Sequence, residues 1–226
     1  MPNPSVEPRP SAHSLLNQLA APDGNKPAGA LPCLGERLGR LFGLADTMAL
    51  DKAMSTRNNV SPSPALPLES LINDLITARR ALHQKIREYP QSPVVEARDA
   101  EPDLNADVLL NRWLLLHRKV AATANQLRDR VRKALQSAGG DLARLAELDA
   151  VFDHTMAAYA SQNFGQVTRV VEQQIAGLFN DTAPCHPDPL QSVCTQAQSL
   201  LMAELDVRLE PVLGLLEACQ HKEAHA

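Results

Sequence analysis

The chain has 226 residues, enough for one domain or two small ones, with 44% hydrophobic and 21% charged residues. Aromatic residues make up only 3%, and Leu and Ala dominate the apolar set. That composition suits helices and excludes a sheet core, which draws on β-branched and aromatic side chains. The formal charge of -4 is unevenly spread: residues 1–140 hold 18 Lys and Arg against 14 Asp and Glu, and residues 141–226 hold 4 against 12. Halves of opposite sign fit basic and acidic helices packed side by side, in one chain or between two; the alternative is a basic surface for nucleic acid.

No run of eighteen apolar residues occurs, so no transmembrane helix is expected. The opening Met1-Pro2-Asn3-Pro4 shows no secretory pattern. The four cysteines, Cys33, Cys185, Cys194 and Cys219, have no disulfide-framework spacing. The expectation is reduced thiols and a cytoplasmic location.

Residues 1–32 carry seven of the seventeen prolines and little apolar periodicity, which reads as a mostly disordered tail. Within it, Leu15, Leu16 and Leu19 could line one face of a short helix, lying on the core or docking into a partner. Residues 33–56 read as a helical pair: Leu34, Leu38, Leu41, Phe42 and Ala45 follow helical spacing, Gly43 interrupts, and Asp46 or Thr47 can cap a second helix holding Met48, Ala49, Leu50 and Met54. The arrangement is locally similar to a helix-turn-helix, but Asp46 and Asp51 oppose a single Lys52 where donors are needed. Residues 57–67 form a Ser/Pro/Asn-rich linker.

The body of the protein is expected at 68–220. A helix from about Leu68 to Glu88 has the apolar face Leu68, Leu71, Ile72, Leu75, Ala78, Leu82 and Ile86, and a basic second half (Arg79, Arg80, Lys85, Arg87). From Asp103 to Asn180 there is no proline, and the Gly139-Gly140 pair divides the run into a long helical hairpin with a coiled-coil-like seam. The first arm, capped by Asp103 or Asn105, carries the stripe Leu104, Val108, Trp113, Leu116, Val120, Ala124, Leu127, Val131 and Leu135. Its polar side is strongly basic: Arg112, Arg118, Lys119, Arg128, Arg130, Arg132 and Lys133, opposed by Asp129. This basic face is the candidate partner-binding surface. The second arm, capped by Asp141, should face inward with Leu142, Leu145, Leu148, Phe152, Met156 and Tyr159. It should kink or break near Ser161–Gly165 and resume with Phe164, Val167, Val171, Ile175 and Leu178. A proline-rich turn follows. The last helix starts at Pro189 behind Asp188, with Leu190, Val193, Ala197, Leu201, Leu205, Leu209, Val212 and Leu216 inward and a kink at Pro211.

Catalytic signatures are missing. There is no phosphate-binding glycine loop, no GxSxG, no HExxH, and no ExxH of the kind di-iron bundles use. Cys185, His186 and Cys194, with Cys219 and His221, offer soft ligands without zinc-site spacing. Neither a cofactor nor a catalytic residue is expected.

Two segments resemble a known family. Glu36-Arg37-Leu38-Gly39-Arg40-Leu41-Phe42-Gly43-Leu44-Ala45-Asp46 is similar to the N-terminal signature of the proteobacterial domain of unknown function 3348. Residues 201–218, from Leu201-Met202-Ala203-Glu204-Leu205 to Glu210-Pro211-Val212-Leu213 and Glu217-Ala218, are similar to its C-terminal one, and residues 145–151 also fit. The resemblance implies a bacterial, cytoplasmic, helical protein, with an accessory or adaptor role beside a cell-envelope or motor-like complex. Together these readings give an all-α, elongated bundle whose first expectation is protein interaction or self-association. The alternatives are nucleic-acid binding through the basic face at 112–133 and, less favoured, a metalloprotein or enzyme.

Overall fold

The computed structural model describes Leu15, Gln18 and residues 39–55, 67–90, 105–180 and 189–224. The described residues are helical throughout apart from caps and turns, as the Leu/Ala composition requires. We number the helices α1 (Leu44–Ser55), α2 (Leu68–Arg87), α3 (Ala106–Ala138), α4 (Gly140–Asn180) and α5 (Pro189–Ala224). The linker at 57–66, the loop at 91–104, Asp188 and most of the tail at 1–32 lie outside the described residues. Leu15 is within them; it is helical and buried in the same apolar cluster as the rest of the core.

Helices α2 to α5 form an up-down-up-down bundle. The residues that meet set the directions. Arg130 reaches Asp74 and Tyr89 reaches Leu109, so α2 and α3 are antiparallel. Arg128 pairs with Asp149 and Asp153 across the α3–α4 hairpin. Trp113 and His117 meet Ala197 and Glu204 in the same order, so α3 and α5 run parallel. Helices α3 and α5 are in direct contact; α2 packs on both of them, and so does α4. Residues of α3 that meet α2 (Lys119) and α4 (Arg128) are nine apart, half a helical circumference, which puts α2 and α4 on opposite sides of the central pair. α1 packs on α4.

Local chemistry accounts for the ends. Asn105 caps α3, its side chain accepting from the amide of Val108 at 2.9 Å. Gly139, with φ 70° and ψ -175°, ends α3, and Gly140 (φ 58°) already opens α4. A direct reversal with no intervening loop needs two residues at positive φ, which only glycine adopts at low cost. The carbonyl of Gly139 accepts from Ala143, so Asp141 sits inside the first turn of α4, where its charge suits the helix dipole, and is not the cap. At α1 the cap is earlier than expected as well. Gly43 precedes the helix, and Asp46 reaches back to accept its amide at 2.9 Å, one half of a capping box.

α4 runs unbroken from Gly140 to Asn180, so the expected interruption at Ser161–Gly165 does not occur. The phase shift of the apolar pattern has another cause. In the first half of α4 the core-facing positions are small, Ala143 and Ala146, while Phe152 and Tyr159 are 38% and 42% exposed. Of the large residues there, Leu142 and Leu145 pack against the core, while Phe152 lies on an outer surface on which α1 sits, with Phe42 edge-on to it at 5.3 Å. From Val167 through Val171 to Ile175 the pattern turns inward as predicted. Helix α5 continues through Pro211. It is apolar on nearly all sides from Cys194 to Cys219, because three helices surround it.

Candidate functional site

The seven basic residues of α3 do not share one face. A helix turns 100° per residue, so positions 112, 119 and 130 look toward α2 while 128 and 132 look toward α4. Arg112 donates to the carbonyl of Pro90 at 2.6 Å. Arg130 pairs with Asp74 on α2. Arg128 and Arg132 form a closed cluster with two carboxylates of α4. Arg128 grips Asp149 through two bonds, Nε to Oδ2 at 2.9 Å and Nη2 to Oδ1 at 2.6 Å, and reaches Asp153 at 2.6 Å. Arg132 adds bonds to Asp149 at 2.6 Å and Asp153 at 2.8 Å, and meets Asp129 on its own helix at 3.2 Å. Both arginine side chains are more than four-fifths buried. Burial works against ionisation of Asp149, but the hydrogen bonds and charges of Arg128 and then Arg132 outweigh it and hold its pKa below the usual carboxylate value.

Arg118, Lys119 and Lys133 remain exposed. Lys119 lies within hydrogen-bonding reach of Lys85 on α2, and that contact, together with the charge of Lys85, lowers the Lys119 pKa. The opposite signs of the two halves of the chain are thus largely satisfied within it: Arg128 and Arg132 with Asp149 and Asp153, and Arg79 with Asp206 at 2.8 Å.

A second polar cluster lies in the middle of the bundle. Glu204 on α5 is fully buried. Its Oε1 accepts from Nε of Arg208 at 2.6 Å and lies 3.0 Å from Nε2 of His117 on α3. Its Oε2 has no hydrogen-bond partner. Trp113 stacks on His117 with ring centres 5.0 Å apart and donates its indole N–H to the carbonyl of Ala197 at 3.3 Å. The guanidinium of Arg208 lies 3.8 Å from the centre of the Phe164 ring on α4. One carboxylate therefore ties α3, α4 and α5 at a single level. Sequence motifs assign no role to His117 or Glu204. The available signal was that Leu200, Leu201, Ala203 and Leu205 surround Glu204 with apolar residues on every side, which buries whatever lies among them.

Outside the bundle, α1 is held to α4 by the Phe42–Phe152 contact and by Thr155, whose hydroxyl donates to Asp46 at 2.9 Å. The bonds from Gly43 and Thr155 hold Asp46 below the ordinary carboxylate pKa. Leu44 and Met48, one turn apart on the side of α1 away from these contacts, are 80% and 66% exposed.

A family model matches residues 1–221, and its description is a protein of unknown function, DUF3348. The chain belongs to this family. No curated protein and no solved structure matches it. The family assignment carries no activity with it, so the site must be argued from its own chemistry. Cys185 and His186 lie outside the described residues. Cys194 and Cys219 are both buried in α5 and not disulfide-bonded, with Cys219 donating to the carbonyl of Leu215. Among the described residues no group of three His, Cys, Asp or Glu side chains is placed to hold a metal, and no helix is long and apolar enough to cross a membrane.

Proposed function

We propose that the chain is a helical protein-interaction or adaptor protein, and that α1 is where another helical protein docks. The observation that supports this is the exposure of Leu44 and Met48 on a helix whose opposite side is already packed on α4. A helix apolar on both sides is stable when both sides are covered. Methionine is suited to such a surface because its flexible thioether adapts to different shapes. The partner we favour is an amphipathic helix, laid along α1 so that its apolar residues cover Leu44 and Met48. An accessory role beside a cell-envelope or motor-like complex accords with the family resemblance. Nucleic-acid binding through the face at 112–133 is less well supported, since Arg112, Arg128, Arg130 and Arg132 are engaged inside the fold.

The test is recovery of partners from the native cell with the wild-type chain and with Leu44→Glu/Met48→Glu, combined with light scattering. A partner lost from the variant, at unchanged helical circular dichroism, supports the reading. A mass near twice 24.5 kDa that the variant halves assigns the face to a second copy. A monomer that recovers no helical protein, or a partner retained by the variant, refutes it.

A further inference from the structure

The surface of α2 has a chemistry that the preceding reading does not use. Asn73, Thr77, Arg80, Gln84 and Arg87 are all exposed. Their spacing of three and four residues places them on one stripe roughly 21 Å long. Every side chain in the stripe can donate a hydrogen bond and none carries negative charge. Arg80 and Arg87 have no carboxylate partner among the described residues.

Cations flank the stripe on both sides. Toward α5 stands Arg79, half exposed and paired with Asp206, followed one turn later by His83. Burial, then the charge of Arg79, keeps the His83 pKa below its ordinary value. Toward α3, packing brings the ammonium groups of Lys85 and Lys119 together. Two like charges at that separation repel, and an anion between them would relieve the repulsion. Of the nearby carboxylates, Asp74 pairs with Arg130 and Asp206 with Arg79; Glu88 accepts from the amide of Gln84 at 2.9 Å and keeps its charge, and the exposed Glu69 stands one turn before Asn73, beyond the end of the stripe. Arg79, Arg80, His83, Gln84 and Arg87, together with Ile76, border one open, shallow surface of α2.

We propose that α2 docks in the major groove of duplex DNA, with Arg80, Gln84 and Arg87 toward the base edges and Arg79, Lys85 and Lys119 toward the phosphates on either side. The major groove is about 12 Å wide and admits one α-helix, and Arg, Gln and Asn are the side chains that pair with purine edges there. Cations on both flanks of a polar stripe match a groove bounded by two phosphate backbones. A duplex offers phosphates to the cations and base-edge donors and acceptors to the Asn, Thr and Gln side chains, whereas an acidic protein surface matches the charges alone. Duplex RNA is disfavoured because its major groove is too deep and narrow for a helix. The surface lies across the bundle from α1 and α4, so this proposal and the protein-interaction reading stand or fall separately.

Fluorescence anisotropy with the full chain and a labelled random-sequence DNA duplex tests it. Binding to duplex DNA is expected to exceed binding to duplex RNA and to polyglutamate, with a slope of log affinity against log salt on the order of -2 to -3, since about three phosphates would be contacted. Arg80→Ala/Arg87→Ala should weaken it at least tenfold, while Arg169→Ala, on α4, should not. Bound duplex should show guanine N7 protected from methylation. No duplex binding at low salt, equal or tighter binding to polyglutamate, unchanged affinity in the double variant, or unprotected N7 would overturn the proposal.

Discussion

Arg208 holds Glu204, the one fully buried carboxylate among the described residues, and removing Arg208 should cost more than removing the carboxylate itself. Glu204 is fully buried, with Arg208 at 2.6 Å and His117 at 3.0 Å. In Arg208→Met the stem still covers Phe164, but Glu204 keeps only His117. Stripping one partner from a buried ion pair costs about 3–5 kcal/mol, because an uncompensated charge stays in a medium that cannot solvate it. For a chain of this size that is roughly 6–20 °C in melting temperature. The reverse change, Glu204→Leu, removes the charge that needs solvation and keeps the volume. Arg208 retains 16% exposure and its place over Phe164, so the loss should stay within about 1 kcal/mol. The combined variant should be more stable than Arg208→Met alone, a sign that no sum of lost contacts produces. Urea denaturation followed by circular dichroism measures all three. A loss below about 1 kcal/mol in Arg208→Met, or a Glu204→Leu variant less stable than Arg208→Met, would refute the claim that the carboxylate depends on Arg208.

Two further expectations concern the hairpin. Gly139→Ala forces a side chain into φ 70°, ψ -175°, a region nearly closed to residues with a Cβ; the same denaturation should show a loss of about 1–3 kcal/mol. Asp149 should make the fold acid-sensitive. Its pKa in the folded chain lies below the reference value of 3.8, so its stabilisation is present above that value and disappears as pH falls through the depressed folded pKa. In Asp149→Asn the urea midpoint should drop by the equivalent of about 2 kcal/mol at neutral pH, and the decline between about pH 5 and pH 2 should be shallower than in the wild type; parallel pH profiles for the two proteins would contradict the assignment.

Much of the fold is written in spacing alone. The apolar stripes of α2, α3 and α5, the Gly139-Gly140 reversal and the Asn105 cap are local signals, each decided by residues within a few positions of one another. α4 defeats the same method in its first half, and the reason is physical. Periodicity shows that a face is apolar but not which neighbour covers it. Leu142 to Tyr159 form a regular stripe, so they were read as core. Leu142 and Leu145 do pack against the core, beside Ala143, Ala146 and the ion cluster around Asp149, but Phe152 and Tyr159 are exposed, and Phe152 meets Phe42 next to α1.

The basic residues show a related limit, and it bears on function. From Arg112 to Lys133 the sequence reads as a single charged run, because charge is visible in a sequence and its partner is not. Asp149 and Asp153 lie across the hairpin from the arginines they neutralise, seventeen to twenty-five positions away, and no local pattern joins them. Once those pairs are formed, the unneutralised charge is divided. Part of it stays on α3, at Arg118 and Lys133, and part lies along α2 and its border with α3, at Arg80, Arg87 and the adjoining Lys85 and Lys119. In the sequence those α2 cations had a sufficient explanation, since basic residues in the last turns of a helix complement its dipole. That explanation accounts for Lys85 and Arg87 near the end of α2. It does not account for Arg80, two turns earlier, nor for the alignment of Arg80 and Arg87 with Asn73, Thr77 and Gln84. A dipole asks only for positive charge near the C-terminus, so Arg80 and the exposed polar residues in line with it are the part of α2 that the proposed contact with DNA would use.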